Sequence, residues 1–190
     1  NHGVGAYRAT RAPGAAAPPN GKGSGMQRGT SGNVGGGSTA SARNLISGNG
    51  TGVFAIGATG TVIRGNFIGT EVTGAAALHN LVGVSLTATT DSQVGGPGAG
   101  DGNLISGNNT TGIAPAGCTG GALQGNRIGT ALSGVLALPD PTGNAASTSG
   151  QPLVRRHAGA GPDSLRSWSS TDTPTTQHRA PLRCPGVATP

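Results

Sequence analysis

Large apolar side chains are scarce in this 190-residue chain, which has two Phe, one Trp, one Tyr and one Met. A core built around aromatic rings is excluded, so an ordered part must stack small residues closely and other parts stay disordered. Aromatic rings do not interleave with the basic residues, as single-strand nucleic-acid binding would require, and no nucleic-acid partner is expected. Two cysteines, Cys118 and Cys184, provide neither a disulfide framework nor metal-ligand spacing. No apolar run approaches the about 18 residues a membrane-spanning helix needs. The chain opens on Asn1 without a signal-like segment. We therefore read it as a piece of a longer protein whose targeting signal lies outside it.

Charge is sparse and uneven. Charged residues are 9% of the chain and the net charge is +6. Residues 40–140 hold Arg43, Arg64 and Arg127 against Glu71, Asp91, Asp101 and Asp140, and the flanks carry all the excess. Basic flanks of this kind read as solvated, low-complexity ends.

What the chain has in quantity is glycine, 38 residues, and a repeat. "IRGNFIGT" (63–70) returns as "LQGNRIGT" (123–130), and "TGAAALHN" (73–80) returns as "SGVLALPD" (133–140), echoing "PGAAAPPN" (13–20). "NLISGN" is identical at 44–49 and 103–108, a slip of one residue that points to loops of variable length between fixed rungs. A shorter beat runs through "GMQ", "GVFAI", "GVSLT" and "GIAPA", beginning at residues 25, 52, 83 and 112, so each 60-residue unit holds two coils.

Fragments such as "NLI", "VFAI", "TVI" and "VSL" are short and β-branched, and glycine recurs too often for a helix. Strands this short are not stable as isolated hairpins. Stacked coils resolve the difficulty, each strand pairing in parallel with its counterpart about 4.8 Å away. The expected fold is all-β: a right-handed parallel β-helix of about four coils with irregular or disordered flanks. Residues 1–19 read as a partial repeat, 20–140 as the β-helix, and 141–190 as a disordered tail. Ile68 and Ile128 are expected to point inward as an aliphatic column. Asn44, Asn66, Asn103 and Asn126 are expected at turns, in the left-handed conformation, their amides bonded along the axis. Gly65 and Gly125 are expected where a Cβ would clash.

The phrases "RNLISGN", "GNFIGT", "ALHN…GVSL" and "VGG" resemble repeats of bacterial extracellular proteins with right-handed parallel β-helix domains, the pectate-lyase-like superfamily. The likeness covers roughly residues 20–140. It implies the fold and an extracellular or cell-surface location. It does not imply one activity, because lyases, hydrolases, adhesins and passive stalks share the shape. Departures gather at the ends: Arg8 replaces the inward Ile, and nothing periodic survives after "SLRS" (164–167). Decayed repeats, a Ser/Thr/Pro linker and flanks read out of frame are three competing explanations.

The superfamily's lyases hold Ca²⁺ with clustered acids beside a basic residue. Here Glu71, Asp91, Asp101 and Asp140 are unpaired in sequence and read as solvated turn acids. His79 reads as a surface residue, "GGG" (35–37) as a turn, and "GGPGAGDGN" (95–103) as a faint, single echo of a calcium repeat. Sequons begin at Asn49, Asn108 and Asn109. A shallow sugar-binding groove using Arg43, Arg64 and Arg127 with Asn and Thr is weakened by missing aromatic platforms. No catalytic, cofactor or metal residue is assigned. The expected role is a structural or binding segment of a secreted or cell-surface protein that touches polysaccharide or other surface material. The alternative is a fragment of a carbohydrate-active enzyme whose catalytic coils lie elsewhere; a third possibility is that an uncapped pair of units does not fold alone.

Overall fold

The computed structural model describes residues 20–140 and, before them, the backbone of four two-residue strands. The expectations for 141–190, and for the side chains of 1–20, lie outside the described residues. Two short strands, β1 (His2–Gly3) and β2 (Tyr7–Arg8), precede an antiparallel pair, β3 (Thr10–Arg11) and β4 (Ala15–Ala16). Four coils follow, three strands to each. The first is β5 (Asn20–Met26), β6 (Val34–Gly36) and β7 (Leu45–Ile46). The second is β8 (Asn49–Ile56), β9 (Val62–Arg64) and β10 (Phe67–Ile68). The third is β11 (Val82–Thr87), β12 (Gln93–Gly95) and β13 (Leu104–Ile105), and the fourth β14 (Thr111–Ala116), β15 (Ala122–Gln124) and β16 (Arg127–Ile128).

Equivalent strands stack in parallel into three sheets, so this is an all-β parallel solenoid. The first sheet runs β5-β8-β11-β14, the second β1-β6-β9-β12-β15 and the third β2-β7-β10-β13-β16. Lys22, Thr51, Val82 and Thr111 stand over one another, so successive windings take 29, 31 and 29 residues.

The 60-residue unit has a structural cause: long loops alternate between two corners. In the first and third coils the long loop joins the second sheet to the third, at residues 37–44 and 96–103. In the second coil it joins the third sheet to the first, at 69–81, and after the fourth coil the segment 129–140 stands in the equivalent place. At the short corner of the even coils two residues make the whole turn, Gly65-Asn66 and Gly125-Asn126. There φ is +67° at Gly65 and +69° at Gly125, and a Cβ on Gly65 would lie 1.9 Å from the Gly37 carbonyl oxygen. The left-handed geometry falls on these glycines and not on the asparagines. Among the described non-glycine residues only Ala88 and Asp91 have positive φ. The expectation of left-handed asparagines is corrected accordingly.

Period-2 alternation sends one face of each strand inward. Ile46, Ile68, Ile105 and Ile128 lie in one register on the third sheet, all buried. Val53, Val84 and Ile113 face them from the first sheet, and Ile63, Val94 and Leu123 from the second. A smaller cluster of Leu45, Phe67 and Leu104 sits on the outer side of the third sheet, and the loop glycine Gly74 packs onto Phe67 and Leu104. No described helix is long and apolar enough to cross a membrane.

Because the interior is narrow and closely packed, Ile68→Ala is expected to cost about 2–5 kcal/mol by urea denaturation. Val135→Ser, at a site 85% exposed, is expected to change stability by less than about 0.5 kcal/mol.

Candidate functional site

The corner between the first and second sheets turns on four related segments: "TSGN" (30–33), "ATGT" (58–61), "TTDS" (89–92) and "CTGG" (118–121). The second residue of each is an exposed hydroxyl: Ser31, Thr59, Thr90 and Thr119. These four residues are bridged to one another in parallel, coil over coil. Backbone bonds fix the spacing: Thr59 N–H donates to the Thr30 carbonyl at 3.0 Å, Thr90 N–H to Ala58 at 3.0 Å and Thr119 N–H to Thr89 at 2.8 Å. The result is a row of hydroxyls repeating at the strand separation of about 4.8 Å. Beneath it Ala58, Thr89 and Cys118 are buried, which anchors the row to the core. The Cys118 thiol is free and donates to the Leu86 carbonyl at 3.5 Å.

Eight of the buried polar residues form two columns. In the first, the Asn44 backbone N–H and Nδ2 both donate to Asn66 Oδ1, at 3.2 and 2.9 Å. Asn66 repeats this onto Asn103 Oδ1 at 3.0 and 3.0 Å, and Asn103 onto Asn126 Oδ1 at 3.0 and 2.9 Å. The second Nδ2 hydrogen reaches one coil back, from Asn66 to Gly35, Asn103 to Ile63 and Asn126 to Val94 carbonyls. All four asparagines are buried. They are therefore withdrawn from any sugar-binding surface, although the groove considered from sequence included Asn.

A second column joins Asn49, Asn80, Asn108 and Asp140, which the sequence repeat matches only in pairs, Asn49 with Asn108 and Asn80 with Asp140. Asn49 N–H and Nδ2 donate to Asn80 Oδ1, both at 3.0 Å, Asn80 Nδ2 donates to Asn108 Oδ1 at 3.0 Å, and Asn108 N–H and Nδ2 donate to Asp140 Oδ1 at 2.6 and 3.0 Å. The signal was present in the final letters of "SGN", "LHN", "SGN" and "LPD". Asp140 is 4% exposed, so its reading as a solvated turn acid is corrected. Burial pushes its carboxyl up to about 7, against the opposing pull of the Asn108 backbone and side-chain bonds.

The other acids lie apart. Partial burial acts to raise the Glu71 carboxyl, but bonds from Thr73 Oγ1 and the N–H groups of Thr73, Ala75 and Ala76 outweigh it and hold it down at about 2. Asp101 accepts from Ser38 Oγ at 2.6 Å and Gly98 N–H at 3.0 Å, and lies 3.8 Å from Arg64. Asp91 is exposed at a positive φ. Among the described residues no three His, Cys, Asp or Glu side chains gather in one place. His79 is exposed, with Nδ1 against the Gly107 carbonyl at 2.5 Å. The arginines are also occupied. Arg43 lies over the Phe67 ring at 4.1 Å, Arg64 pairs with Asp101, and Arg127 donates to the Leu132 carbonyl.

No protein-family model matches the chain, and neither a curated protein nor a solved structure matches it.

Asn66→Ala would remove the acceptor shared by the buried Asn44 backbone N–H and Nδ2 and the donor to the part-buried Gly35 carbonyl. Leaving such groups unpaired costs about 1–3 kcal/mol apiece, so a loss of more than about 3 kcal/mol is expected in urea denaturation. Asn66→Asp adds a charge in the same place, and its stability is expected to fall further as pH rises from acid to neutral.

Proposed function

We propose that this chain is a non-enzymatic scaffold segment of a secreted or cell-surface protein, which contacts polysaccharide through its outer face. The supporting observation is the row Ser31, Thr59, Thr90 and Thr119. Its hydroxyls are exposed, evenly spaced and unengaged by other described side chains. A hydroxyl offers one donor and two acceptor lone pairs, which suits the hydroxyl groups of a sugar chain. The stacked backbone fixes the spacing before any ligand arrives, which lowers the ordering cost of a contact. The resemblance of the repeats to those of extracellular β-helix proteins supports the location. In this reading the solenoid is a stiff rod and the acids serve its turns and columns.

The test is co-sedimentation with insoluble polysaccharides. Thr59→Val, Thr90→Val and Thr119→Val together keep side-chain shape and remove three hydroxyls. At about 0.5–1.5 kcal/mol per lost hydrogen bond, affinity is expected to fall about tenfold or more. Circular dichroism should be unchanged. Equal binding by the triple variant, or absence of binding by the parent chain to every polysaccharide tried, would remove the proposal. Release of shortened or unsaturated sugar products would favour the enzyme-fragment alternative.

A further inference from the structure

We infer that Asp140 fastens the segment 129–140 to the solenoid as a neutral carboxylic acid, its Oδ2–H donating to a backbone carbonyl where Asn80, its counterpart one repeat earlier, uses an amide N–H. The register carries this. Asp140 occupies the next rung after Asn49, Asn80 and Asn108. Its Oδ1 takes the backbone and side-chain donors of Asn108, as Asn80 Oδ1 takes those of Asn49. Its Oδ2 therefore stands where Asn80 has Nδ2. Asn80 Nδ2 donates to the Ile46 carbonyl at 3.0 Å. The counterpart of Ile46 in the repeat is Ile105: the Ile46 carbonyl accepts Gly69 N–H and the Ile105 carbonyl accepts Gly129 N–H, each at 3.1 Å. Asp140 Oδ2 is buried and has no hydrogen-bond partner among the described residues. An ionised oxygen there meets no donor, a costly arrangement away from water. One proton on Oδ2 makes the group a copy of asparagine, with one oxygen accepting and one donating.

The charged neighbours do not relieve an anion at this place. His79, on the facing loop 69–81, is turned to the Gly107 carbonyl. Glu71 of the same loop is closed within its own turn, and Arg127 on β16 is spent on the Leu132 carbonyl. None of the three is bonded to the Asp140 carboxyl. The folded-state value of about 7 lies above the ordinary 3.8, so folding favours the protonated form. The stabilisation is therefore complete below about 3.8 and is lost as pH rises through about 7. This is the reverse of the usual carboxylate, which weakens a fold on the acid side. The segment concerned is otherwise joined by backbone bonds such as Gly107 N–H to the Leu138 carbonyl, at 3.0 Å.

Two measurements on the full 190-residue chain test this. In a carbon-detected NMR titration the Asp140 carboxyl carbon is expected to change near pH 7; a midpoint below about 5, the ordinary carboxylate range, would overturn the inference. In thermal unfolding the parent chain is expected to lose midpoint between pH 5 and pH 8.5, while Asp140→Asn holds its midpoint across that range and equals or exceeds the parent at pH 8.5. The same pH dependence in both chains, or an Asp140→Asn chain that does not fold, would count against it.

Discussion

The fold depends on the primary amide of asparagine when it is buried between stacked backbones. Each coil leaves polar groups at its corners that water cannot reach, and a buried polar group without a partner is expensive. Asparagine answers with two lone pairs and two hydrogens on a short stem. In the Asn66 and Asn103 rungs all four sites are used: Oδ1 takes two donors from one neighbouring coil, and Nδ2 gives one hydrogen to the next asparagine and one to a backbone carbonyl. Aspartate lacks the hydrogens, so it fits such a column only at its end or when protonated. Asp140 stands in that position.

With the corners settled, the rest of the architecture is permissive. Aliphatic columns fill a narrow interior that needs few aromatic rings, and each coil answers only to its neighbours. Long loops are free to alternate between corners because the columns hold the windings in step regardless of loop length. On the outside the same spacing is imposed on whatever side chains the turns carry. A row of hydroxyls arises from segments as dissimilar as "ATGT" and "CTGG". The scaffold and the hydroxyl row on its outside thus share one cause.

Much of the fold could be read from the letters because a solenoid writes its period into the chain. The 60-residue recurrence and the inner beat of "GVFAI", "GVSLT" and "GIAPA" are enough for four parallel coils, and Gly65 and Gly125 mark turns that no side chain fits. The single-coil register was harder to see. Leu45 sits over Phe67 only 22 residues on, yet Phe67 sits over Leu104, 37 residues on, because loops fall at alternating corners. Asn66 and Asn126 therefore looked like one pair and Asn44 and Asn103 like another, whereas the four interleave in a single column. The second column was hidden in the same way, and Asp140 was further disguised by a letter that usually means a solvated charge. The match of "TGAAALHN" with "SGVLALPD" set Asp140 over Asn80, but burial is a property of the stack and is not written around residue 140. The hydroxyl row was invisible for a related reason: only one position in each turn is kept, and glycine, aspartate and cysteine vary around it.

The most direct test of the amide columns is exchange of the side-chain NH₂ hydrogens with deuterated water, followed by NMR in the folded chain. The Nδ2 hydrogens of Asn66, Asn80 and Asn103 are expected to exchange as slowly as the backbone amides of the surrounding strands, and far more slowly than those of the exposed Asn109. Rates equal to that of Asn109 would mean that the columns are open to water, and would contradict the interaction on which the solenoid rests.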